Sequence, residues 1–67
     1  MLLNLKAEMI KGKISAADIA AVIGRTDRSV RSKISGRTSF TYSEARSIRD
    51  SFFPDLSIEY LFEPGPN

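Results

Sequence analysis

Sixty-seven residues make one domain and no more, near the lower limit at which a single core forms without staples. The chain has no Cys and no His, which excludes disulfides, thiolate metal sites, imidazole ligands and both the Ser-His-Asp and Cys-His forms of nucleophilic catalysis. The net charge of +2 is unevenly spread: residues 1–49 hold all ten Lys and Arg against four acids, while residues 50–67 hold four acids and no base, a distribution that suits a polyanionic partner on one side.

The carboxylates are scattered, and no motif sets two of them around a substrate. An enzyme is therefore not expected, nor a cofactor, a metal site or a small-molecule substrate. No apolar run approaches the ~18 residues of a membrane span. Met1-Leu2-Leu3 is too short for a signal peptide, so the sequence reads as intracellular, with no membrane partner.

The apolar spacing predicts five short helices and no strand. Over residues 2–11, Leu2, Leu5, Met9 and Ile10 fall three and four apart, with either Asn4 as cap or an earlier start at Leu2, and Gly12 the stop. Ser15-Ala16-Ala17-Asp18 resembles a capping box opening a second helix. Its stripe is Ile19, Val22 and Ile23, and Ala20 offers a place of close approach. Gly24 suits the left-handed position just past the helix end. Thr26 is the expected cap of a third helix, with Asp27 well placed near its N-terminus, Val30 and Ile34 inward and Gly36 closing it.

Arg37-Thr38-Ser39 reads as a polar loop over an apolar anchor, Phe40. Thr41-Tyr42-Ser43-Glu44 is a full capping box for a fourth helix running to about Phe53. Ala45, Ile48 and Phe52 should point inward there, with Tyr42 or Phe53 adding area, and Pro54 stops the helix. Ser57 caps a last helix over residues 58–62, and Pro64-Gly65-Pro66 ends regular structure. The expected fold class is all-α, a domain over residues 1–63 with a tail at 64–67.

With Val30 and Ile34 inward, Asp27, Arg28, Arg31, Ser32 and Ser35 cluster on the other side of the third helix. Short polar groups beside long guanidinium forks can read base edges in a DNA major groove. Arg28 or Arg31 suits guanine O6 and N7, Ser32 either base type, and Asp27 a cytosine amino group. Asp27 equally serves the helix dipole, and Thr26 serves either as cap or as contact to a phosphate or the first base step. Arg25, Lys33, Arg37, Thr38 and Ser39 flank this helix as candidate phosphate clamps, and Lys11 and Lys13 precede the second helix. Arg46 and Arg49 fit solubility or local ion pairs better.

Residues 15–36 with their flanking helices resemble the lambda-repressor-like (Cro and repressor, XRE-type) helix-turn-helix family. The resemblance is strongest over Ile19-Ala20, Gly24, Ser29-Val30 and Ile34-Ser35-Gly36-Arg37, and it extends through Ser57-Ile58-Glu59-Tyr60-Leu61-Phe62. It implies a compact five-helix domain in which helices two and three form a helix-turn-helix and the third, about residues 26–35, is the recognition helix. Many members bond phosphate through a Gln at the start of the second helix. Ser15-Ala16-Ala17 stands there, so that clamp is either absent or supplied by Ser15. Many also carry an apolar residue where Lys33 stands, and Ile34 is the replacement for packing, with the Lys33 stem buried.

The resemblance further implies a transcriptional regulator in a bacterial or phage-infected cell, similar to a small phage Cro-type repressor or a repressor's N-terminal domain. Its partner would be a two-fold operator in double-stranded DNA, bound by a homodimer. Tyr60, Leu61 and Phe62, or the loop at Phe40, are candidates for the dimer contact, and equally for completing the monomer core. The same fold also occurs in antitoxins and adaptors that no longer bind DNA, which leaves a protein-interaction module as the alternative.

Overall fold

Five helices follow one another: α1 (Leu3–Gly12), α2 (Ala16–Ile23), α3 (Asp27–Ser35), α4 (Tyr42–Phe52) and α5 (Ile58–Leu61). The structure is a computed structural model that describes residues 1–65; Pro66 and Asn67, the end of the expected tail, lie outside the described residues. No strand occurs among the described residues.

Each helix sends one fully buried side chain to a common centre. Leu5, Ile19, Val30, Ile48 and Leu61, one per helix, are all 0% exposed. Half-buried Ile23, Ile34, Phe40, Phe52 and Phe62 pack around them. Burial of each large apolar side chain contributes roughly 1.5–3 kcal/mol. A chain this short depends on every helix contributing, because no single pair encloses a core. α2 packs against α3 and α4, and α5 packs against α1 and α4.

Four helix starts follow the sequence chemistry. Ser15, Thr26, Thr41 and Ser57 each accept the backbone N–H three residues on, and Asp18 and Glu44 complete capping boxes on α2 and α4. Each such cap is worth ~1 kcal/mol. Gly24 and Gly36 end α2 and α3 at φ 70° and 93°, a left-handed geometry that side chains with a Cβ resist.

The differences from expectation lie mostly in α1 and α4. α1 starts from Leu2, the earlier of the two expected starts, without a side-chain cap, and Asn4 does not cap but donates to the Tyr60 carbonyl at 2.8 Å. Gly12 stays helical, and Lys13 takes the left-handed cap position at φ 55°. This lets Ile14 N–H reach the Met9 carbonyl at 2.8 Å while the Ile14 side chain packs on the core. Ile10 and Val22 lie exposed, one position off the inward faces held by Leu5 and Met9 in α1 and by Ile19, Ala20 and Ile23 in α2. Of the two aromatics offered as extra area in α4, Phe53 is buried and Tyr42 is exposed. Phe53 is the residue after the helix end, where the chain turns toward Pro54 and carries the ring inward.

Leu61 is wholly buried, and Phe62 meets Phe40 edge to face with ring centroids 5.4 Å apart. Leu61 and Phe62 therefore contribute to the core of the single chain. Tyr60 remains partly exposed, and its hydroxyl donates to Glu8 at 2.8 Å.

Candidate nucleic-acid interface

α3 is anchored through Val30 from behind, and Ile34 packs at the edge of the same core. At ~3.6 residues per turn, Arg28, Ser32 and Ser35 then stand opposite Val30, with Asp27 and Arg31 on one shoulder. Arg28, Arg31, Asp27 and Ser35 are exposed, and Ser32 is half-buried. Arg28 has no ion-pair partner among the described residues. Arg31 and Asp27 are paired: Arg31 Nε donates to Asp27 Oδ1 at 2.7 Å.

The N-terminus of α3 is shaped by Thr26 and Arg25. The Thr26 hydroxyl accepts from Ser29 N–H at 3.1 Å, which leaves its own proton available to a further acceptor. Arg25 Nε donates to Glu44 Oε2 at 2.8 Å, yet half of the Arg25 side chain remains exposed. Its two terminal nitrogens have no partner among the described residues.

The C-terminal end of α3 organises the following loop. The Ser32 carbonyl accepts from Arg37 N–H at 3.0 Å and Thr38 N–H at 3.4 Å, and the Ser35 hydroxyl donates to it at 2.9 Å. Arg37, Thr38 and Ser39 all lie exposed beside the helix. Ser15, whose hydroxyl oxygen accepts from Asp18 N–H, lines an open cleft of about 440 Å³ together with Arg31, Ile34 and Ser35. The start of α2 and one side of α3 therefore border the same cleft, together with Lys6, Met9 and Ile10 of α1.

Lys33 departs from the sequence reading. Its ammonium donates to the Ser39 carbonyl at 2.9 Å, lies 3.6 Å from Glu44 Oε1 and sits 5.8 Å from the centre of the Phe40 ring. Only 11% of its side chain is exposed. The stem is buried as expected, and what differs is the charge, which is turned inward to a carboxylate rather than outward. The Lys33 ammonium is thus engaged by Ser39, Glu44 and Phe40 within the chain.

Glu44 is the residue that sequence reasoning undervalued. It was legible as the acid of a capping box, and Thr41 N–H does donate to Glu44 Oε1 at 3.0 Å. Its contact with Arg25 lies 19 residues away in sequence, and no local pattern signals it. The backbone N–H of Thr41, then the Arg25 hydrogen bond, and more weakly the charges of Lys33 and Arg25, hold the Glu44 carboxyl below its ordinary range against the opposing effect of burial. One carboxylate thereby joins the α2–α3 connection, the body of α3 and the start of α4.

Arg46 and Arg49 fall to local pairing, as expected: both meet Asp50, at 3.7 and 2.6 Å. A second open cleft of about 480 Å³ lies under the α3–α4 loop, floored by Leu2, Phe40, Ile58 and Phe62. No Asp or Glu lines either cleft. Among the described residues no group of three or more Asp or Glu is placed to hold a metal ion, and no helix is long and apolar enough to cross a membrane. Comparison with protein-family models, with curated proteins and with solved structures finds no match to this chain.

Proposed function

We propose that this protein binds double-stranded DNA sequence-specifically as a transcriptional regulator of the repressor type, with α3 lying in the major groove. In this reading α2, the Gly24-Arg25-Thr26 connection and α3 act as a helix-turn-helix of the lambda-repressor-like kind. Arg28, Arg31 and Ser32 face base edges, and Asp27 stands beside them. Ser15, Arg25, Thr26, Arg37, Thr38 and Ser39 hold the phosphates on either side and so set the register of the helix on the duplex.

The observation that carries the reading is the division of α3. Val30 is fully buried, while Arg28 and Arg31 on other faces of the helix are exposed. Around them the exposed donors of Arg25, Thr26 and the Arg37-Thr38-Ser39 loop ring both ends of the same helix. Exposed guanidinium forks among short hydroxyls, bordered by further cations, match the acceptor-rich major groove and its phosphate walls. The acidic segment from Asp50 onward carries no base.

Two copies on a two-fold operator are part of this proposal, with half-sites about one helical turn apart. In this reading the contact between copies draws on apolar side chains that remain accessible, Tyr60 and the half-buried Phe40 and Phe62 among the candidates from the sequence, and exposed Met1, Leu3, Ile10, Val22 or Tyr42 besides. Selection of bound duplexes from a random pool tests the reading. It should enrich a two-fold motif. Recovery of a pool indistinguishable from the input would reject it in favour of a protein-interaction module.

A further inference from the structure

The geometry points to Asp27 as the positioning residue of a guanine-reading Arg31, rather than as a reader of bases or a mere helix-end charge. The inference rests on the DNA-binding reading and deepens it by naming the base that one side chain selects.

A guanidinium has two edges at which it can donate in pairs: one formed by Nε with a terminal nitrogen, the other by the two terminal nitrogens. Asp27 occupies the first. Arg31 Nε donates to Asp27 Oδ1 at 2.7 Å, and Nη2 lies 3.5 Å from Oδ2, a second and weaker contact. The second edge has no partner among the described residues, and 73% of the Arg31 side chain is exposed. Both Asp27 oxygens are turned to the same guanidinium, so this carboxylate is engaged on its own helix.

The spacing makes the arrangement intrinsic to α3. Asp27 and Arg31 are four residues apart with the acid on the N-terminal side, the favourable order for such a pair on a helix. Asp27 also sits in the first turn, where the helix dipole favours a negative charge. Val30 fixes the rotation of the helix from behind. An exposed Arg normally samples many rotamers and loses that freedom on binding. Here the carboxylate removes part of it beforehand and points a planar two-donor edge outward, which is what guanine O6 and N7 accept. Arg28 has no such holder among the described residues, so the two Arg of the face are not equivalent.

The test compares base preferences selected from a randomised duplex pool by the wild-type protein and by Asp27→Asn, Arg31→Ala and the double variant. Circular dichroism first establishes that each is helical; both side chains are exposed, so folding should persist. The wild type should enrich a guanine at one position of each half-site. Arg31→Ala should remove that preference, and Asp27→Asn should weaken it about tenfold at the same position. Adding Asp27→Asn to Arg31→Ala should change nothing further, and Asp27→Asn alone should bind random duplex at least as tightly as the wild type.

Independent effects of the two substitutions, or a change at different base positions, would overturn the inference while leaving DNA binding intact. A wild-type protein that enriches no sequence would overturn both, and that outcome is distinguished by the absence of any selected motif before the variants are compared.

Discussion

Arg25 and Glu44 form the bond that ties the candidate interface to the body of the protein. Arg25 Nε donates to Glu44 Oε2 at 2.8 Å, while Glu44 Oε1 accepts from Thr41 N–H at 3.0 Å. Glu44 is only 8% exposed. Removing one partner of such a set leaves buried charge or backbone donors uncompensated, which costs more than the contacts are worth when whole. Glu44→Ala should destabilise the fold by about 1–3 kcal/mol in urea or thermal unfolding. A change below about 0.5 kcal/mol, the level of an ordinary surface substitution, would contradict this role.

The same carboxylate predicts an acid response. The Glu44 pKa is lowered in the folded protein from an ordinary value of 4.5, so the folded state binds this proton less readily than the unfolded chain. Its contribution to stability is therefore fully present above pH 4.5 and is lost as pH falls through the lower folded value. Unfolding free energy measured from pH 6 down to pH 2, with those limits about the range in which a shifted carboxylate titrates, should fall less steeply for Glu44→Gln than for the wild type. Parallel curves would show that other carboxylates carry the acid sensitivity.

Lys13 occupies a left-handed backbone position that favours Gly, at φ 55°. For a residue with a Cβ this conformation costs roughly 1–2 kcal/mol, part of which is offset by the greater freedom Gly has in the unfolded chain. Lys13→Gly should therefore stabilise the protein by about 0.5–1 kcal/mol. A lower melting temperature would mean that the Lys13 side chain contributes more than its backbone costs.

Val30 and Arg28 should separate folding from binding. Val30→Ala empties part of the centre where all five helices meet and should cost roughly 1–3 kcal/mol of stability. Arg28→Ala touches an exposed residue with no ion-pair partner among the described residues, so stability should hold within about 0.5 kcal/mol. DNA affinity should nevertheless fall. If Arg28→Ala leaves affinity for the selected duplex intact, Arg28 is not at the interface.

The sequence made the helix starts legible because Ser15, Thr26, Thr41 and Ser57 act on backbone N–H groups three residues away. It made the centre legible where apolar residues repeat every three or four positions, as at Leu5 and Met9 or at Val30 and Ile34. It was weaker where two residues competed for an inward place, the neighbours Met9 and Ile10 or Tyr42 and Phe53 at the two ends of α4, because packing from other helices decides between them. Contacts between distant segments had no local signature. Glu44 with Arg25 arises only once the α2–α3 connection meets α4, and Asn4 with the Tyr60 carbonyl and Glu8 with the Tyr60 hydroxyl only once α1 meets α5. Lys33 shows the same limit from the other side, since nothing in its neighbours along the chain announces that its charge turns inward to Glu44.

If α3 and its flanking cations contact DNA, binding must weaken steeply as salt is raised. Affinity for a selected duplex should be measured by fluorescence anisotropy over a series of salt concentrations. Each phosphate neutralised contributes about −0.9 to the log–log slope, so clamps at Arg25, Arg37 and neighbouring residues should give a steep fall, reduced by about one unit in Arg37→Ala. A flat dependence, or a slope unchanged when Arg25, Arg28 and Arg37 are replaced together, would show that these cations do not meet phosphates.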